Sequence, residues 1–194
     1  MANFNDAFNT TMGHEGGYSN DPVDAGGETY RGISRKYHPD WGGWKIIDDE
    51  RYDRSFPDHL SGDSRLNKLE MDFYKAKYWN SFLGDNIKDQ DIANEMFDTA
   101  VNMGVSRASL FLQKTLNLLN NNQKRYTDIS EDGKVGPNTI ATLDTYLKLK
   151  NKTYLLKVLN LLQGNHYIDY MSEDSRQERF AFGWLDRVEI KKVY

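Results

Sequence analysis

The sequence predicts an α+β fold that is predominantly helical. Apolar residues at helical spacing recur through most of the chain beyond about residue 65, while a segment rich in Gly, Asp and Pro near the N-terminus has turn formers and a short strand pattern. The 194 residues are 38% hydrophobic and 13% aromatic, which is enough apolar material for a packed core. We therefore expect one domain or two small domains packed together, and the composition excludes a disordered chain.

The first third of the chain combines one helix with a small β element. Gly13 ends the helix, and residues 29–33 read as a short strand that follows a series of turn formers. Residues 38–63 are rich in Pro, Gly, Asp and Trp and predict a long ordered loop with one helical turn. The apolar face of the first helix consists of Phe4, Ala7, Phe8 and Met12.

The remainder of the chain is predicted to be helical. Pro137 is suited to the first turn of a helix, and the polar stretch 120–130 predicts a hinge or surface loop. The predicted helices cover about 65–79, 92–103, 106–119, 137–147, 153–170 and 180–188.

Charge and cysteine content exclude several classes of protein. With 25 Lys+Arg against 29 Asp+Glu the formal net charge is −4, so binding of nucleic acid through a broadly basic surface is not expected. The absence of cysteine excludes disulfides, thiolate zinc sites and a cysteine nucleophile. No apolar run reaches the roughly 20 residues that span a bilayer, and residues 1–6 lack the basic start and apolar core of a secretory signal. We expect synthesis in the cytoplasm, with release by another route if the protein acts outside the cell.

Two carboxylates near the first helix carry the clearest chemical signal. Glu15 follows the helix and precedes Gly16 and Gly17, which permit a sharp turn and close approach of a ligand. Asp24 lies nine residues later in a turn that leads into the strand, so the two carboxylates can face each other across a groove. Glycosidic cleavage needs an acid for the leaving oxygen and a second group on the other side. The alternatives are a solvated helix end for Glu15 and a simple turn residue for Asp24.

Other catalytic patterns are missing from the sequence. His14-Glu15 begins a zinc motif of the form His-Glu-x-x-His, but Tyr18 stands where the second histidine would be. There is no Gly-x-Ser-x-Gly elbow, no P-loop and no dinucleotide-binding fingerprint. The sequence therefore predicts neither a metal site nor a cofactor.

The run from Glu15 to Ile33 resembles the opening signature of glycoside hydrolase family 108. This family contains lysozyme-like N-acetylmuramidases of phage endolysins and bacterial proteins, some of them labelled secretion activators. The resemblance implies a lysozyme-like fold, with Glu15 as the catalytic acid; by looser analogy with phage lysozymes, Asp24 is the second carboxylate and Thr29 helps to position water. Tyr30 stands where the family usually has Asn, and we expect it to line the sugar groove. The identity of the second group and retention versus inversion stay open.

The second half resembles the predicted peptidoglycan-binding module that follows the hydrolase part in this family. The matching segments are 97–104, 132–139 and 183–188. The resemblance divides the chain into a hydrolase part at 5–95 and a helical binding part at 96–190, which we expect to pack as one globule. The 132–139 loop serves either as a tight connection between helices or as a ligand contact.

Several further side chains are candidates for substrate binding. Sugar rings stack on aromatic side chains, so Tyr18, Trp41 and Trp44 are candidate sugar contacts, although tryptophans also anchor irregular loops. Asn102 is a candidate for the floor of the groove, and the alternative is that it belongs with Asp98 and Arg107 to a buried polar network. The charge run at 48–50 is expected to be a solvated face.

These expectations combine into one functional hypothesis. The chain is expected to be a monomeric N-acetylmuramidase that needs no cofactor and cleaves the β-1,4 bond between N-acetylmuramic acid and N-acetylglucosamine in peptidoglycan glycan strands, without nucleic-acid binding or membrane insertion. Two alternatives use the same fold: a peptidoglycan-binding protein without activity, and a secretion-associated protein that acts on a protein partner.

Overall fold

A computed structural model describes residues 1–13, 17–20 and 27–188. It confirms a predominantly helical α+β fold with a small antiparallel sheet near the N-terminus and a helical C-terminal half. The helices are α1 (Phe4–Met12), α2 (Gly43–Glu50), α3 (Ser64–Tyr74), α4 (Gln90–Met103), α5 (Val105–Leu118), α6 (Pro137–Leu149), α7 (Lys152–Glu173) and α8 (Ala181–Leu185). The strands are β1 (Tyr18–Ser19), β2 (Thr29–Tyr30) and β3 (Ile33–Ser34).

The chain divides into two compact units. The N-terminal unit comprises Phe8–Lys77, and the C-terminal unit comprises Met1–Ala7 together with Tyr78–Tyr194. The N-terminal unit contains the sheet, α2 and α3. The C-terminal unit contains α4 to α8, and its core is formed mainly by the buried faces of α4, α5 and α7.

The strand predicted at 29–33 is instead a tight hairpin. Arg31 and Gly32 both have positive φ angles, 44° and 77°, and turn the chain back after two residues of β2. Two successive positive φ values are typical of the two-residue turn whose twist suits an antiparallel hairpin. The prediction of one continuous strand was wrong at Arg31, which was expected to be extended. Because a non-glycine residue seldom adopts the left-handed conformation, the sequence did not indicate a turn at this position.

Gly32 is held against α3 and gives a first prediction. A Cβ at this position would lie 2.7 Å from the Tyr74 hydroxyl, and the φ angle disfavours any side chain. We expect Gly32→Ala to lower the free energy of unfolding by about 1–3 kcal/mol in urea titrations. Gly62→Ala is the matched control, because a Cβ at that position would meet nothing within 4 Å and no positive φ is involved. Equal stability of the two variants would contradict this account of the turn.

The predicted long loop at 38–63 contains more helix than expected. Helix α2 occupies eight residues of it, and a 3-10 turn spans Asp58–Gly62. Trp44 and Ile47, three residues apart, are buried on one face of α2. Their spacing was available in the sequence, but the high content of Gly, Asp and Trp concealed it.

The helices of the C-terminal unit follow their predicted positions within a few residues. Pro137 occupies the first turn of α6, and Asp89 caps α4 by accepting hydrogen bonds from the backbone N–H groups of Asp91 and Ile92. Gly104 alone separates α4 from α5, and its φ of 89° explains why glycine is needed at this sharp corner.

Candidate functional site

Glu15 and Asp24, the two predicted catalytic carboxylates, lie outside the described residues. The described elements that surround them in sequence are α1 before Glu15, β1 between the two residues, and β2 after Asp24. Their catalytic assignment therefore stays a prediction, and the geometry available for the site is that of the sheet.

Thr29, the third predicted catalytic residue, lies in the middle strand of this sheet. It pairs with Ser19 of β1 on one side and with Ser34 of β3 on the other, and its side chain is half-buried. Backbone pairing on both sides fixes the position of Thr29 within the N-terminal unit.

A cluster of two arginines and two carboxylates braces the sheet, and we call Glu28, Arg35, Asp48 and Arg51 the Arg–carboxylate cluster. Arg35 lies 2.7 Å from Glu28 through Nε and donates to both oxygens of Asp48 at 2.7 and 2.9 Å. Arg51 donates to Glu28 and, through Nε, to Asp48 at 2.9 Å. The four groups alternate in charge, and their arginines hold the pKa of Asp48 at about 2.

Tyr18, a predicted sugar contact, is joined to this cluster. Its hydroxyl donates to Glu28 at 2.9 Å and accepts from Nη1 of Arg51 at 3.1 Å, while its ring meets that of Phe56 edge to face at 4.9 Å. Burial and then the hydrogen bond to Glu28 raise the pKa of Tyr18. The hydrogen bonds hold the hydroxyl in place, and because the ring is half-buried, part of it stays accessible.

The Arg–carboxylate cluster was not predicted from the sequence. The charge run at 48–50 was expected to be a solvated face. Asp48 is 45% exposed but also binds two arginines, while Asp49 pairs with Lys45 at the surface. The signal was present in the hairpin: once Arg31 and Gly32 are taken as the turn, Glu28 and Arg35 become neighbours across the two strands. The N–H of Arg35 donates to the carbonyl of Glu28 at 2.8 Å.

The cluster predicts a specific acid sensitivity. Because the folded state lowers the pKa of Asp48 below its usual 3.8, the stabilisation is complete above about pH 4 and is lost as the pH falls towards 2. We expect Asp48→Asn to lower the free energy of unfolding at neutral pH. Between about pH 4 and pH 2 the unfolding free energy of the variant should also depend less steeply on pH, by the equivalent of up to one bound proton. Asp49→Asn is the control, since its exposed pair contributes little. Identical slopes in urea titrations of Asp48→Asn and the parent would contradict the role given to the cluster.

The hairpin turn is also anchored on α3 by a buried carboxylate. Glu70 is only 1% exposed and accepts from Nη1 of Arg31 at 2.9 Å, while no residue in the described part of the chain hydrogen-bonds to its other oxygen. Burial raises the pKa of Glu70, and Arg31 offsets part of this effect. The Tyr74 hydroxyl donates to the carbonyl of Arg31 at 2.9 Å, so α3 holds both the backbone and the side chain of the turn.

Two of the predicted sugar contacts are buried. Tyr30 is 1% exposed, and its hydroxyl donates to the carbonyl of Leu60. Trp44 is 3% exposed and donates to the carbonyl of His38, with the Arg35 guanidinium 4.5 Å from the ring centroid. Burial on this scale favours a structural role for both rings over direct contact with a sugar.

Trp41 differs from these two residues because it is half-buried. Its ring stacks on Tyr30 at 5.9 Å, and its indole N–H donates to the carbonyl of Leu69 at 3.3 Å. Gly43 lies beneath the ring, and a Cβ at this position would clash with the ring atoms of Trp41. Trp41 therefore anchors the start of α2 and still has an accessible part.

Asn102 lies on the C-terminal unit at the end of α4. Its Nδ2 donates to the Asp98 carbonyl at 2.8 Å, and Asp98 in turn accepts from Gln163 of α7 at 2.9 Å and from Arg187 at 2.8 Å. Asn102 itself is exposed. Asp98 therefore forms a polar network with Gln163 and Arg187. The predicted buried network of Asp98, Asn102 and Arg107 is not formed, because Asn102 and Arg107 are exposed and Arg107 contacts His166 instead.

The 132–139 loop is a tight connection packed on α5. Gln113 is buried, donates to Asp132 and to the Lys134 carbonyl, and accepts from the N–H of Gly133. Gly133 has a φ of 70°, and a Cβ there would lie 2.5 Å from Ser106 Oγ. These contacts explain the Asp-Gly pattern of the loop by local structure.

Neither a metal site nor a membrane span is found in the part of the chain that the structure describes. Within 1–13, 17–20 and 27–188, no group of three His, Cys, Asp or Glu side chains is arranged to hold a metal ion. In the same ranges no helix has the length and apolar character needed to cross a bilayer.

Comparison with protein families defines the class of protein to which this fold belongs. Residues 8–104, half of the chain, match the model of the Glycosyl hydrolase 108 family, and residues 107–189 match the model described as Predicted Peptidoglycan domain. The chain belongs to the glycosyl hydrolase 108 family. The two matches together support a peptidoglycan-related hydrolytic or binding function at the cell wall.

A solved structure shares the fold over nearly the whole length. The structure of SagA from Brucella abortus matches with a TM-score of 0.59 and 20% sequence identity, covering 95% of this chain and 88% of that one. Among curated proteins there is no significant match.

Proposed function

We propose that this protein is an N-acetylmuramidase that cleaves the β-1,4 bond between N-acetylmuramic acid and N-acetylglucosamine in peptidoglycan. The observation that carries the proposal is the match of residues 8–104 to the glycosyl hydrolase 108 family, because this range contains Glu15, Asp24 and Thr29. The peptidoglycan domain match over 107–189 supports the wall polymer as the substrate.

In this proposal Glu15 donates a proton to the glycosidic oxygen as the C–O bond breaks. Asp24 and Thr29 act on the opposite side, on the attacking water and the positive charge that develops on the sugar ring. The described structure supports the part assigned to Thr29, since the strand that bears it is paired on both sides and is adjacent to Glu28 of the Arg–carboxylate cluster. A fixed position is what a residue that orients water requires.

We also propose that Tyr18 and Trp41 contact the glycan. Both rings are half-buried and both are held by hydrogen bonds from their polar ends, which leaves an oriented apolar surface for a sugar face. Tyr30 and Trp44 are buried and pack against the Trp41 ring.

Mass spectrometry of digested sacculi tests the proposal. The expected products are muropeptides that end in reducing N-acetylmuramic acid. Products ending in reducing N-acetylglucosamine, or free stem peptides released by amide cleavage, would contradict it.

A second candidate function is peptidoglycan binding without cleavage, which the match over 107–189 favours. Co-sedimentation with sacculi separates the two candidates when it is combined with an assay of reducing ends. Protein that sediments with sacculi but generates no new reducing ends would establish the binding function and overturn the hydrolytic one.

A further inference from the structure

An open cavity of about 640 Å³ lies on the C-terminal unit, at the corner where α4 meets α5 and beside α7. Its volume is within the range of small-molecule sites. Charged and polar side chains dominate its lining: Asn102, Arg107, His166, Asp169, Tyr170 and Glu173. We call this cavity the α7 groove.

Arg107 and His166 form the cationic side of the α7 groove. Nη1 of Arg107 lies 3.0 Å from Nδ1 of His166, and because arginine only donates, the histidine must be neutral with its proton on Nε2. Burial and then the charge of Arg107 lower the pKa of His166, in agreement with this state. Among the described residues no carboxylate pairs with Arg107, so most of its five donors are available to a ligand.

Asp169 and Glu173 form the anionic side. They lie one helical turn apart on α7, and both act electrostatically on His166 in opposition to Arg107. Asp169 accepts one hydrogen bond from Asn165 at 2.7 Å, and neither carboxylate is in an ion pair within the described part of the chain. Within those residues, the α7 groove is therefore lined by one cation and two anions that form no ion pairs.

The walls of the α7 groove are fixed by contacts behind them. Asp98 of α4 accepts from Gln163 of α7 and from Arg187, and the first of these contacts joins the two helices that border the groove. Tyr170 stacks on His166 at 6.2 Å and packs against Trp184 at 5.8 Å. These contacts fix the helices that carry the charged groups, which lowers the cost of ordering the groove when a ligand binds.

We propose that the α7 groove binds a free amino-acid end, with an ammonium and a carboxylate on one carbon, as carried by the diamino acid of peptidoglycan stem peptides. Arg107 binds the carboxylate, Asp169 and Glu173 bind the ammonium, and Tyr170 packs on the aliphatic chain. This inference rests on the proposed function in that peptidoglycan is the polymer supplying the ligand. A neutral sugar would leave the opposite charges of the groove unpaired, which disfavours glycan as its ligand.

Calorimetric titration of the full chain with defined muropeptides tests the proposal. The probe is a muramyl tripeptide that ends in meso-diaminopimelate. Its comparison ligands are the same molecule with the free carboxylate of the diaminopimelate side chain amidated, the same molecule with the side-chain amine acetylated, and a glycan chain without peptide. We expect the unmodified tripeptide to bind at least about tenfold more tightly than either modified form, because each modification removes a charge-assisted contact.

Variants locate the binding in the groove. Arg107→Gln is expected to weaken the unmodified tripeptide by about tenfold but to leave the carboxyl-amidated form bound as before, whereas loss of the fold would weaken both. Lys114→Gln is the matched control, because it removes an exposed positive charge from the same helix. Glu173→Gln should reproduce the loss for the tripeptide but not for the amine-acetylated form, with Glu178→Gln as its control.

The outcomes separate this inference from the proposed function. Equal binding of the three peptide ligands, or equal binding by Arg107→Gln and the parent, overturns the inference even where the protein cleaves glycan. Selective binding that depends on Arg107 supports the inference even in a protein that generates no reducing ends.

Discussion

Glu15→Gln is expected to reduce lysis of a cell-wall suspension by about a thousandfold or more, which is the largest effect proposed for any substitution in this chain. Glutamine keeps the size and polarity of the side chain but has no acidic proton to transfer to the leaving oxygen. The measurements are the initial rate of turbidity loss and the release of reducing ends, each compared with the parent at equal protein concentration.

The control for this variant removes a carboxylate that has no proposed role in catalysis. Glu178 is exposed on the 3-10 segment Ser175–Phe180 of the C-terminal unit, and Glu178→Gln should retain the parental rate. Thermal unfolding of both variants should match the parent. A Glu15→Gln protein that clears the suspension at the parental rate would remove Glu15 from the mechanism.

The second large effect concerns stability: Arg31→Met is expected to lower the free energy of unfolding by about 3 kcal/mol near pH 7. The substitution leaves Glu70, 1% exposed, without its cation. The pKa of Glu70 already lies above its usual 4.5 in the folded state, and loss of Arg31 raises it further. Ionisation of Glu70 therefore lowers the free energy of unfolding as the pH rises through its pKa. The destabilisation by Arg31→Met should be smaller near pH 4, because the Glu70 carboxyl is then mostly protonated in both the folded and the unfolded state.

Two comparisons test this explanation by chemical denaturation. Lys68→Met removes a cation from an exposed pair with Asp72 on α3, and it should change stability by less than about 0.5 kcal/mol. The double variant Arg31→Met with Glu70→Gln should recover much of the loss, because the uncompensated charge is gone. An Arg31→Met protein as stable as Lys68→Met would show that the buried pair does not hold the hairpin.

The helices were predictable because they depend on local signals. Each of these signals acts within a few residues and can be read directly from the sequence. Examples are the apolar stripe along α4, the proline that begins α6 and the glycine after α1. The observed helix boundaries differ from the predicted ones by a few residues where capping residues set the ends of the helices. Helix α3, predicted to reach about residue 79, ends at Tyr74 and continues as a π-helical turn over Lys75–Trp79.

The candidate site was less predictable because its order comes from contacts distant in sequence. Sequence placed Thr29 on a strand, and the structure agrees, but the turn that follows depends on Tyr74 and Glu70, about 40 residues away along the chain. Burial of Tyr30 and Trp44 likewise depends on partners in other elements, since an aromatic residue in a loop has the same pattern whether it faces a ligand or the core. The roles of Glu15 and Asp24 stay predictions, and the Glu15→Gln variant tests the first of them.

The corner at Gly104 bears on how chimaeric wall hydrolases of this kind are constructed. The two family matches meet at 104–107, which suggests a natural place to exchange the catalytic and wall-binding parts. Yet only one residue joins α4 to α5 there, and the two helices pack side by side in a single unit. A chimaera joined at this point would separate α4 from the helices with which it shares a hydrophobic core. A functional chimaera therefore needs α4 to be kept together with the helices that pack against it.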